Sequence, residues 1–591
     1  MEVIRELNRL FNRRQKKQLV GIFFLILIGG FFEMLSVSMM LPVVSAMVTP
    51  QIIYEVIDRL PQLAALVDRL GLRDPQRMIL TLVAGLIIIY IIKNLFLLIQ
   101  VYCQQTFITR ARNDLISRVL REFLERPYEA YLEADIPTAF RLTDSDIPKT
   151  FSLLMAALSL CTELVVSLLL CAVLIRVNWM MTAFIFVLFL LLTLANAKVL
   201  KPRLEEIGRR DLATSSRIAK WRIEAIYGLK DVKVLNRQDF FIRNYYASGR
   251  IGAGLARSYA VLNNVPRLLI ETIFIVSVLA FIAVYILAGG DIQVLVPQLM
   301  TFALAAVRIM PSANRINTYL TEIAFERPSL DYVCENLPDD LKEMSEGEAD
   351  AGEAASKPAL RLTDRIELKN ISFRYPNTET QIFSHASMTV RRGESVGIMG
   401  TTGAGKSTIV DILLGLLHAQ EGEILCDGVS IFRNYDAWLA QIGYIPQSIY
   451  LVDESIRDNI AFGIDADQIS DERIWEVLRE AQLADFVRSL PEQLETKIGD
   501  RGVRLSGGQR QRIGIARALY HDPEILVFDE ATSALDNETE RALMEAINGF
   551  HGRKTMVIIA HRLNTIAGCD RVYEVRDQGL YETKLPQGDA V

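Results

Sequence analysis

The chain has 591 residues, enough for several domains, and its 64 basic and 70 acidic side chains leave a formal charge of −6. This acidic balance argues against a nucleic-acid-binding protein. Hydrophobic residues make up 51% of the chain and charged residues 23%, which excludes a disordered chain and indicates one membrane part and one soluble part. The six cysteines form no CxxC pair, so neither a disulfide framework nor a zinc site is predicted.

Six long apolar runs fill the first half of the chain. Each of the first five carries a single charged residue and has about 20 residues or more, the length that a helix needs to cross a bilayer. The sixth is interrupted by Arg308 and Arg315, and it is counted because an even number of spans returns the chain to its starting side. The predicted spans are Leu19–Val48, Met78–Cys103, Phe151–Ile175, Val177–Leu200, Leu268–Leu287 and Val294–Ile316.

The connections between the spans alternate in length. Residues 104–150 and 201–267 are long, charged and helix-rich, so they predict helical extensions on one side of the membrane. Basic residues crowd the start of the chain, which places that side in the cytoplasm. On the other side, residues 52–70 have helical spacing and predict an external helix, either lipid-contacting or a plain loop helix.

An acidic stretch divides the chain. Residues 335–353 carry eight acidic side chains and one lysine among Gly, Ala and Ser, which is typical of a solvated tether. The sequence therefore predicts a transmembrane domain over 1–330, a linker over 331–359 and a soluble domain over 360–591.

The soluble domain contains a glycine-rich loop between a buried strand, Ser395–Met399, and an apolar helix, Ile409–Leu417. The loop fits the GxxxxGK[ST] pattern, in which glycines let backbone N–H groups close around phosphate oxygens. We expect Lys406 to reach the β and γ phosphates and Ser407 to bind Mg²⁺. The loop residues are Gly400, Thr401, Thr402, Gly403, Ala404, Gly405, Lys406, Ser407 and Thr408.

A second buried strand, Ile525–Asp529, delivers two carboxylates to its carboxyl end. Asp529 is expected to hold Mg²⁺, directly or through water. Glu530 is expected to orient and polarise the attacking water. The two strands together predict an α/β P-loop domain that hydrolyses a nucleotide.

Further motifs in the same order along the chain resemble those of the ATP-binding-cassette proteins. The signature is Leu505-Ser506-Gly507-Gly508-Gln509, and Ser533-Ala534-Leu535-Asp536 resembles the D-loop. The resemblance implies roles for Tyr375 in stacking on adenine, Gln447 in contacting Mg²⁺ or water, and His561 in contacting the γ-phosphate. With six spans upstream, the chain is similar to the exporter branch: an all-α six-helix transmembrane domain followed by an α/β P-loop ATPase domain.

The resemblance also implies partners and coupling. Each chain has one set of ATP-binding motifs and one signature, so two chains are needed to enclose two ATP molecules. Intact Glu530 and His561 favour a homodimer, and a heterodimer stays open. The segments near Tyr128–Pro137 and Glu224–Lys233 are expected to act as coupling helices, although Asp500 stands where many exporters have Glu.

Ionisable groups within the spans are the candidates for substrate contacts, because charges there are costly. Lys93, Arg308 and Arg315 suit an anionic head group such as a phosphate or pyrophosphate. Alternatively, they form structural ion pairs with Glu33, Glu163 and Glu271. The sequence leaves these two interpretations open.

Segments of spans one and six, with the external helix, resemble the lipid-linked oligosaccharide flippases of bacterial glycosylation (the PglK type). That resemblance implies a polyprenyl-pyrophosphate-linked substrate. The phosphate-binding motifs imply ATP and Mg²⁺ as cofactors, and the acidic charge balance predicts no nucleic acid as partner. A lipid A or multidrug exporter and an ATP-gated channel or regulator are the alternatives. We expect an integral protein of a bacterial inner membrane, with the ATPase domain in the cytoplasm.

Overall fold

The computed structural model describes residues 10–39, 43, 74–133, 136–177, 179–287, 292–337, 360–530, 541, 544–545, 547–560 and 563–583, and at some of these positions only the backbone. The predicted external helix over 52–70, His561, Asp536 and most of the linker therefore lie outside the described residues. The chain divides into two compact units, residues 1–126 with 135–350 and residues 127–134 with 351–591.

The first unit is helical. Within the described residues, six long helices overlap the six predicted spans, and most of residues 40–48 of the first span lie outside the described part. Two short helices of this unit lie between the long ones, and a third, at residues 128–133, belongs to the second unit. The helices are α1 (Arg13–Ser38), α2 (Pro75–Glu125), α3 (Tyr128–Glu133), α4 (Ile136–Arg141), α5 (Ile147–Val177), α6 (Trp179–Tyr227), α7 (Leu229–Val234), α8 (Gln238–Leu287) and α9 (Ile292–Asn336), and a π-turn (Leu142–Asp146) joins α4 to α5. This confirms the all-α part of the predicted fold class.

Several of these helices are much longer than a bilayer is thick. Helix α2 has 51 residues, which corresponds to about 75 Å at 1.5 Å per residue, against about 30 Å of hydrocarbon. Its start is fixed by Asp74, whose side chain accepts from the Gln76 backbone N–H, with Pro75 at the first helical position. Within the described residues, three segments are long and apolar enough to cross a membrane: Arg13–Ser36, Gln76–Glu125 and Ala139–Ala172.

The last helix corrects the predicted start of the linker. Helix α9 continues to Asn336, so residues 331–336 are helical although the sequence assigns them to the tether. The reason is the face formed by Leu330, Val333 and Leu337, all buried in the main core of the unit. The acidic residues that suggested a tether lie among these apolar positions, and burial of the apolar face outweighs them.

The second unit carries two sheets. One has four strands in the order β2-β1-β4-β5, all antiparallel neighbours, and the other has six strands in the order β10-β9-β3-β8-β7-β6. In the six-stranded sheet, β9, β3, β8, β7 and β6 are parallel and only β10 is antiparallel to its neighbour. The strands are β1 (Arg365–Arg374), β2 (Gln381–Arg391), β3 (Ser395–Gly400), β4 (Glu421–Cys426), β5 (Val429–Ser430), β6 (Ile442–Ile445), β7 (Ile525–Asp529), β8 (Thr555–Ile559), β9 (Arg571–Arg576) and β10 (Gly579–Thr583).

Helices cover the sheets and complete two hydrophobic cores. One core packs α10 against both sheets, and the other packs the helices between β6 and β7 against the same parallel strands. The helices are α10 (Lys406–Leu413), α11 (Tyr435–Leu439), α12 (Ile456–Ile460), α13 (Asp471–Glu480), α14 (Ala484–Ser489), α15 (Gly507–Leu519) and α16 (Leu563–Ile566). The α/β part of the predicted fold class is thereby confirmed, and the carboxyl ends of β3 and β7 meet at one edge of the sheet.

Candidate ATP site and membrane charges

The glycine-rich loop connects β3 to α10, as the sequence predicts. Gly405 caps the helix with φ of 104°, and a Cβ there would lie 2.8 Å from Ile382 Cγ2. At Gly400 a Cβ would lie 2.8 Å from the Val575 carbonyl oxygen. Only glycine fits both positions, so the loop can bring its backbone close to a ligand at the N-terminus of α10.

Lys406 is buried at the start of α10 and points back over this loop. Its Nζ donates to the carbonyl oxygens of Gly400 and Thr401, both at 3.1 Å, and lies 4.0 Å from Glu530 Oε1. The ammonium is therefore held over the loop by two hydrogen bonds, with the Glu530 carboxylate nearby. A phosphate at this point would meet a fixed positive charge and the backbone N–H groups of the helix N-terminus.

Ser407 and Asp529 come together from two different elements. Ser407 Oγ, in the first turn of α10, donates to Asp529 Oδ1 at 3.4 Å, at the end of β7. Tyr444 OH donates to the other carboxylate oxygen at 3.5 Å. Burial, and next the charge of Glu530, raise the pKa of Asp529. The exposed Ser407 hydroxyl beside the buried Asp529 carboxylate is an oxygen donor set that fits Mg²⁺.

Glu530 follows the strand in a left-handed backbone conformation, with φ of 50°. Such a conformation is costly for a residue with a side chain and persists only where the surroundings fix it. Here the Glu530 backbone N–H donates to Ile559 O at 3.2 Å, and its Oε2 accepts from Gln447 Nε2 at 2.9 Å. The structure thus brings the two residues predicted to handle the attacking water into direct contact.

Tyr375 lies beside the same helix. Its hydroxyl is 3.0 Å from Thr408 Oγ1, and its ring meets Phe373 edge-on at 5.2 Å. The ring is only partly buried. Its stacking on adenine stays a prediction.

The signature residues form the N-terminus of α15. Ser506 caps the helix by accepting from the Gln509 backbone N–H at 3.2 Å, and Gln509 Oε1 accepts from the Ser506 backbone N–H at 2.8 Å. This reciprocal pair fixes the helix start, and Gly508 is buried within it. Ser506 itself is exposed, so this helix end is open to a ligand or another chain.

Two residues near the ATP site were missed from the sequence. Tyr444 lies on β6 opposite Val527 of β7, which brings its hydroxyl to Asp529. Asp411 lies one turn along α10 from Ser407, and burial together with the Asp529 charge raises its pKa to about 6. Tyr444 lies three residues before Gln447, and the pairing of parallel strands was the signal that could have found it.

The first predicted coupling segment groups with the ATPase unit. Residues 127–134 belong to that unit, and Glu129 of α3 accepts from the His418 backbone N–H and lies 3.4 Å from His418 Nδ1. The second segment, Glu224–Lys233, covers the end of α6 and most of α7, where Leu229 is exposed. Asp500 lies in a short 3₁₀ turn after Gly499, whose φ is 73°.

Two of the candidate substrate cations lie beside acidic residues. Lys93 Nζ lies 3.3 Å from Glu33 Oε2, and both side chains are buried, with 8% and 2% exposed. Arg315 Nε lies 2.6 Å from Glu163 Oε1, and 41% of the Arg315 side chain is exposed. The side chain of Arg308 lies outside the described residues. Two of the three candidate substrate cations therefore form the ion pairs that the sequence left open as the alternative interpretation.

Comparisons with known proteins agree with this geometry. Residues 19–310 match the family model "ABC transporter transmembrane region", and residues 383–533 match the model "ABC transporter". The heterocyst differentiation ATP-binding protein HepA of Nostoc sp. is 30% identical over 421 residues, which cover 70% of this chain and 67% of HepA. The chain belongs to the ABC transporter family. Its two domains make it a half-transporter of the exporter type, which couples ATP hydrolysis to transport across a membrane.

Other relatives of this ABC exporter carry a substrate in their names. The ATP-dependent lipid A-core flippase of Bordetella avium is 30% identical over 413 residues, covering 70% of this chain and 68% of the flippase. That of Pseudoalteromonas translucida is 40% identical over 221 residues, which are 37% of this chain and 38% of the flippase. A solved bacterial Atm1-family ABC exporter with ATP bound has the same fold, with a TM-score of 0.71 at 21% identity over 96% of this chain and 94% of the other.

Proposed function

We propose that this exporter is a homodimeric flippase for a lipid whose head group carries phosphate and sugars. The first candidate is a polyprenyl-pyrophosphate-linked oligosaccharide, and the second is a lipid A-type glycolipid. The supporting observation is the similarity to lipid A-core flippases, because the 413 aligned residues of the Bordetella avium flippase exceed the length of the ATPase unit and include membrane helices. Both candidates combine an apolar anchor with an anionic, sugar-bearing head.

The dimer is proposed from the arrangement of the ATP motifs. Each chain supplies one phosphate loop and one signature, and the signature helix presents the exposed Ser506 at its N-terminus. A helix N-terminus attracts anions through its free N–H groups and its dipole. A second copy can therefore place its own Ser506 against the phosphates held by Lys406, which gives two composite sites.

The residues on the page fit a magnesium-dependent hydrolysis. Ser407 and Asp529 would hold Mg²⁺, which supplies charge neutralisation between the β and γ phosphates when bound. Lys406 binds the phosphates. Glu530, oriented by Gln447 at 2.9 Å, accepts a hydrogen bond from the attacking water and aligns it. His561 and Asp536 stay predicted contacts of the nucleotide.

For the substrate, we propose unequal roles for the membrane cations. Lys93 is fully buried against Glu33, so we assign it to holding α2 against α1. Arg315 is more exposed than its partner Glu163, so a phosphate can approach the guanidinium and replace or share that carboxylate. Arg315 is thus the first candidate for the head-group contact, with Arg308 as the predicted neighbour seven residues earlier on the same helix face.

The cellular location follows from charge and composition. The basic residues ahead of the first predicted span support a cytoplasmic N-terminus, and an even number of spans supports a cytoplasmic ATPase domain. The bacterial relatives support a bacterial inner membrane.

The test is ATPase activity in liposomes titrated with each lipid. Wild type, Arg308→Ala and Arg315→Ala are compared with Lys198→Ala, a cation at the end of a predicted span that serves as the matched control. We expect saturable stimulation by the polyprenyl-pyrophosphate oligosaccharide, lost in the two arginine variants and retained in the control. Stimulation by lipid A alone would move the assignment to the second candidate. Equal rates with every lipid, or stimulation by apolar drugs only, would contradict the proposal.

A second measurement distinguishes a flippase from an ATP-gated channel. In Glu530→Gln a pump stops after ATP binding, whereas a channel held in its ATP-bound state conducts. Steady ion conductance of this variant in ATP would contradict a flippase.

A further inference from the structure

A groove of about 750 Å³ lies between α6 and α8, outside the ATP site and away from the candidate substrate cations. Its walls combine positive charge with apolar surface. The three basic lining residues are Arg203, Arg210 and Arg257, and the only acidic lining residue is Glu206.

Helical spacing explains how each wall is built. Arg203, Ile207 and Arg210 stand at positions i, i+4 and i+7 of α6, which share one helix face. Arg257 and Val261 stand at i and i+4 of α8 and form the facing wall. The floor is apolar, because Ile207, Leu255 and Leu262 also line the groove. Leu262 packs against a buried cluster that includes Leu204.

Charge in the groove is only partly compensated. Glu206 is paired with Arg210, with 2.7 Å between Oε1 and Nε. Within the described part of the chain, neither Arg203 nor Arg257 has a carboxylate at ion-pairing distance. Both guanidinium groups are exposed. The groove therefore carries two more positive than negative side chains. Guanidinium groups can donate paired hydrogen bonds to the oxygens of a phosphate.

The position of the groove relates it to the membrane surface. Arg203 comes three residues after Leu200, where the fourth predicted span ends, and Val261 comes seven residues before Leu268, where the fifth begins. The side is the one from which the helical extensions project. Basic residues at this level face lipid phosphates, and apolar residues beside them face the upper part of the acyl chains.

We propose that this groove binds an anionic phospholipid of the leaflet on the ATPase side, with its phosphate between Arg203 and Arg257 and its chains along Val261 and Leu262. The occupant follows from charge complementarity and from the apolar floor, which a free phosphate ion would leave uncovered. The proposal is independent of the transported lipid. Because the lipid bridges α6 and α8, it steadies the two helices that flank α7.

The experiment uses the full-length protein in nanodiscs of phosphatidylcholine with increasing phosphatidylglycerol, and native mass spectrometry counts the bound lipids. The test variant is Arg203→Gln with Arg257→Gln. The matched control is Arg222→Gln with Arg250→Gln, two exposed arginines on the same helices outside the groove. Basal ATPase activity in pure phosphatidylcholine checks that each protein is folded.

We expect the groove variant to bind phosphatidylglycerol about tenfold to thirtyfold more weakly, from about 1 kcal/mol per basic residue near a lipid surface. The control should bind as wild type does. Equal binding by wild type and groove variant would overturn the proposal.

Three further arms distinguish other occupants. Equal competition by soluble glycerol phosphate would show a phosphate site without lipid selectivity. Displacement of phosphatidylglycerol by the transported lipid would make the groove part of the transport path. Loss of dimer mass in the groove variant would make it a surface between two copies. Each of these results would also overturn the assignment to an anionic phospholipid.

Discussion

Lys406 in the ATPase unit and Lys93 in the membrane unit are both buried lysines near a glutamate, yet their surroundings differ. Lys406 is held by two loop carbonyls and lies 4.0 Å from Glu530, at the N-terminus of a helix. Lys93 lies 3.3 Å from Glu33 and over the ring of Tyr90 at 4.5 Å, between two long helices. The Lys406 ammonium belongs to a loop that is shaped to bind an anion. The Lys93 ammonium forms an ion pair with Glu33.

This difference shows which charges identify a site. Around Lys406, the N-terminus of a helix, an ammonium group and a hydroxyl–carboxylate pair lie close together, an arrangement that suits a phosphate with a bound cation. Around Lys93, the one opposite charge already offsets the cost of burial. Charge in a membrane span is therefore weak evidence for a substrate contact unless a carboxylate partner is absent or exposed.

The largest expected effect is in the ATPase unit. Replacing Glu530 with Gln removes the carboxylate that aligns water, so ATP turnover should fall by about a hundredfold or more. ATP binding should persist, because Lys406 and the loop are unchanged. Single-turnover and steady-state rates on the purified protein measure this. Glu524→Gln, at a surface ion pair before β7, is the control and should stay near wild type.

The next test breaks the membrane pair. Lys93→Met and Glu33→Gln should each lower the free energy of unfolding by about 3–5 kcal/mol, because each removes one charge of a buried ion pair and leaves the other charge buried. The double variant should lose much less than the sum of the two. Denaturant unfolding in detergent, arranged as a double-mutant cycle, gives the coupling energy. Additive losses of unfolding free energy would mean that the two charges do not interact. Lys93 would then again be a candidate for contacting the substrate.

A third prediction concerns the helical extension of α9. Burial of Glu326 raises its pKa from 4.5 to about 7, partly opposed by Lys149 and supported by the negative charges of Glu322, Asp211 and Asp146. The folded state thus binds this proton more tightly than the unfolded state does. The free energy of unfolding should fall as pH rises from about 4.5 to about 7. Above about pH 7, the cost of burying the ionised Glu326 carboxylate applies in full.

The variant Glu326→Gln should remove this penalty. We expect a gain of about 1–2 kcal/mol at pH 8, after allowing for the partial exposure of the side chain, and little gain at pH 5. Thermal unfolding at both pH values measures it, with Glu335→Gln on the same helix as the control. An equal change in unfolding temperature at both pH values would show that the variant acts through packing, and that ionisation of Glu326 does not destabilise the protein.

The smallest effect is expected at Tyr375. Tyr375→Phe removes the hydrogen bond to Thr408 and should cost about 0.5–1.5 kcal/mol of stability, with the KM for ATP nearly unchanged. Tyr375→Ala also removes the ring, so its KM should rise several-fold if the ring stacks on adenine. A KM equal to that of the Phe variant would exclude the stacking role.

Much of this architecture was predictable because its signals are local. Apolar runs of about 20 residues predict helices that cross a bilayer, and each of the six overlaps one of the helices α1, α2, α5, α6, α8 and α9. The phosphate loop was predictable because its glycine spacing is a local pattern, and Lys406 contacts the carbonyl oxygens of Gly400 and Thr401 only five or six residues before it.

What escaped prediction depends on residues distant in sequence. The partners of Lys93 and Arg315 lie on other helices, and Tyr444 meets Asp529 only through strand pairing. The start of the linker was wrong because composition outweighed the apolar spacing of Val333 and Leu337 on α9.

The central claim is that ATP hydrolysis at the Lys406–Glu530 site moves a phosphate-bearing glycolipid across the bilayer. The most direct measurement follows the lectin-accessible fraction of a polyprenyl-pyrophosphate oligosaccharide in proteoliposomes after Mg²⁺ and ATP are added. We predict a time-dependent change for wild type and none for Glu530→Gln at the same protein density. Steady ATP hydrolysis by wild type, with no movement of this lipid or of a lipid A-type glycolipid, would contradict the account.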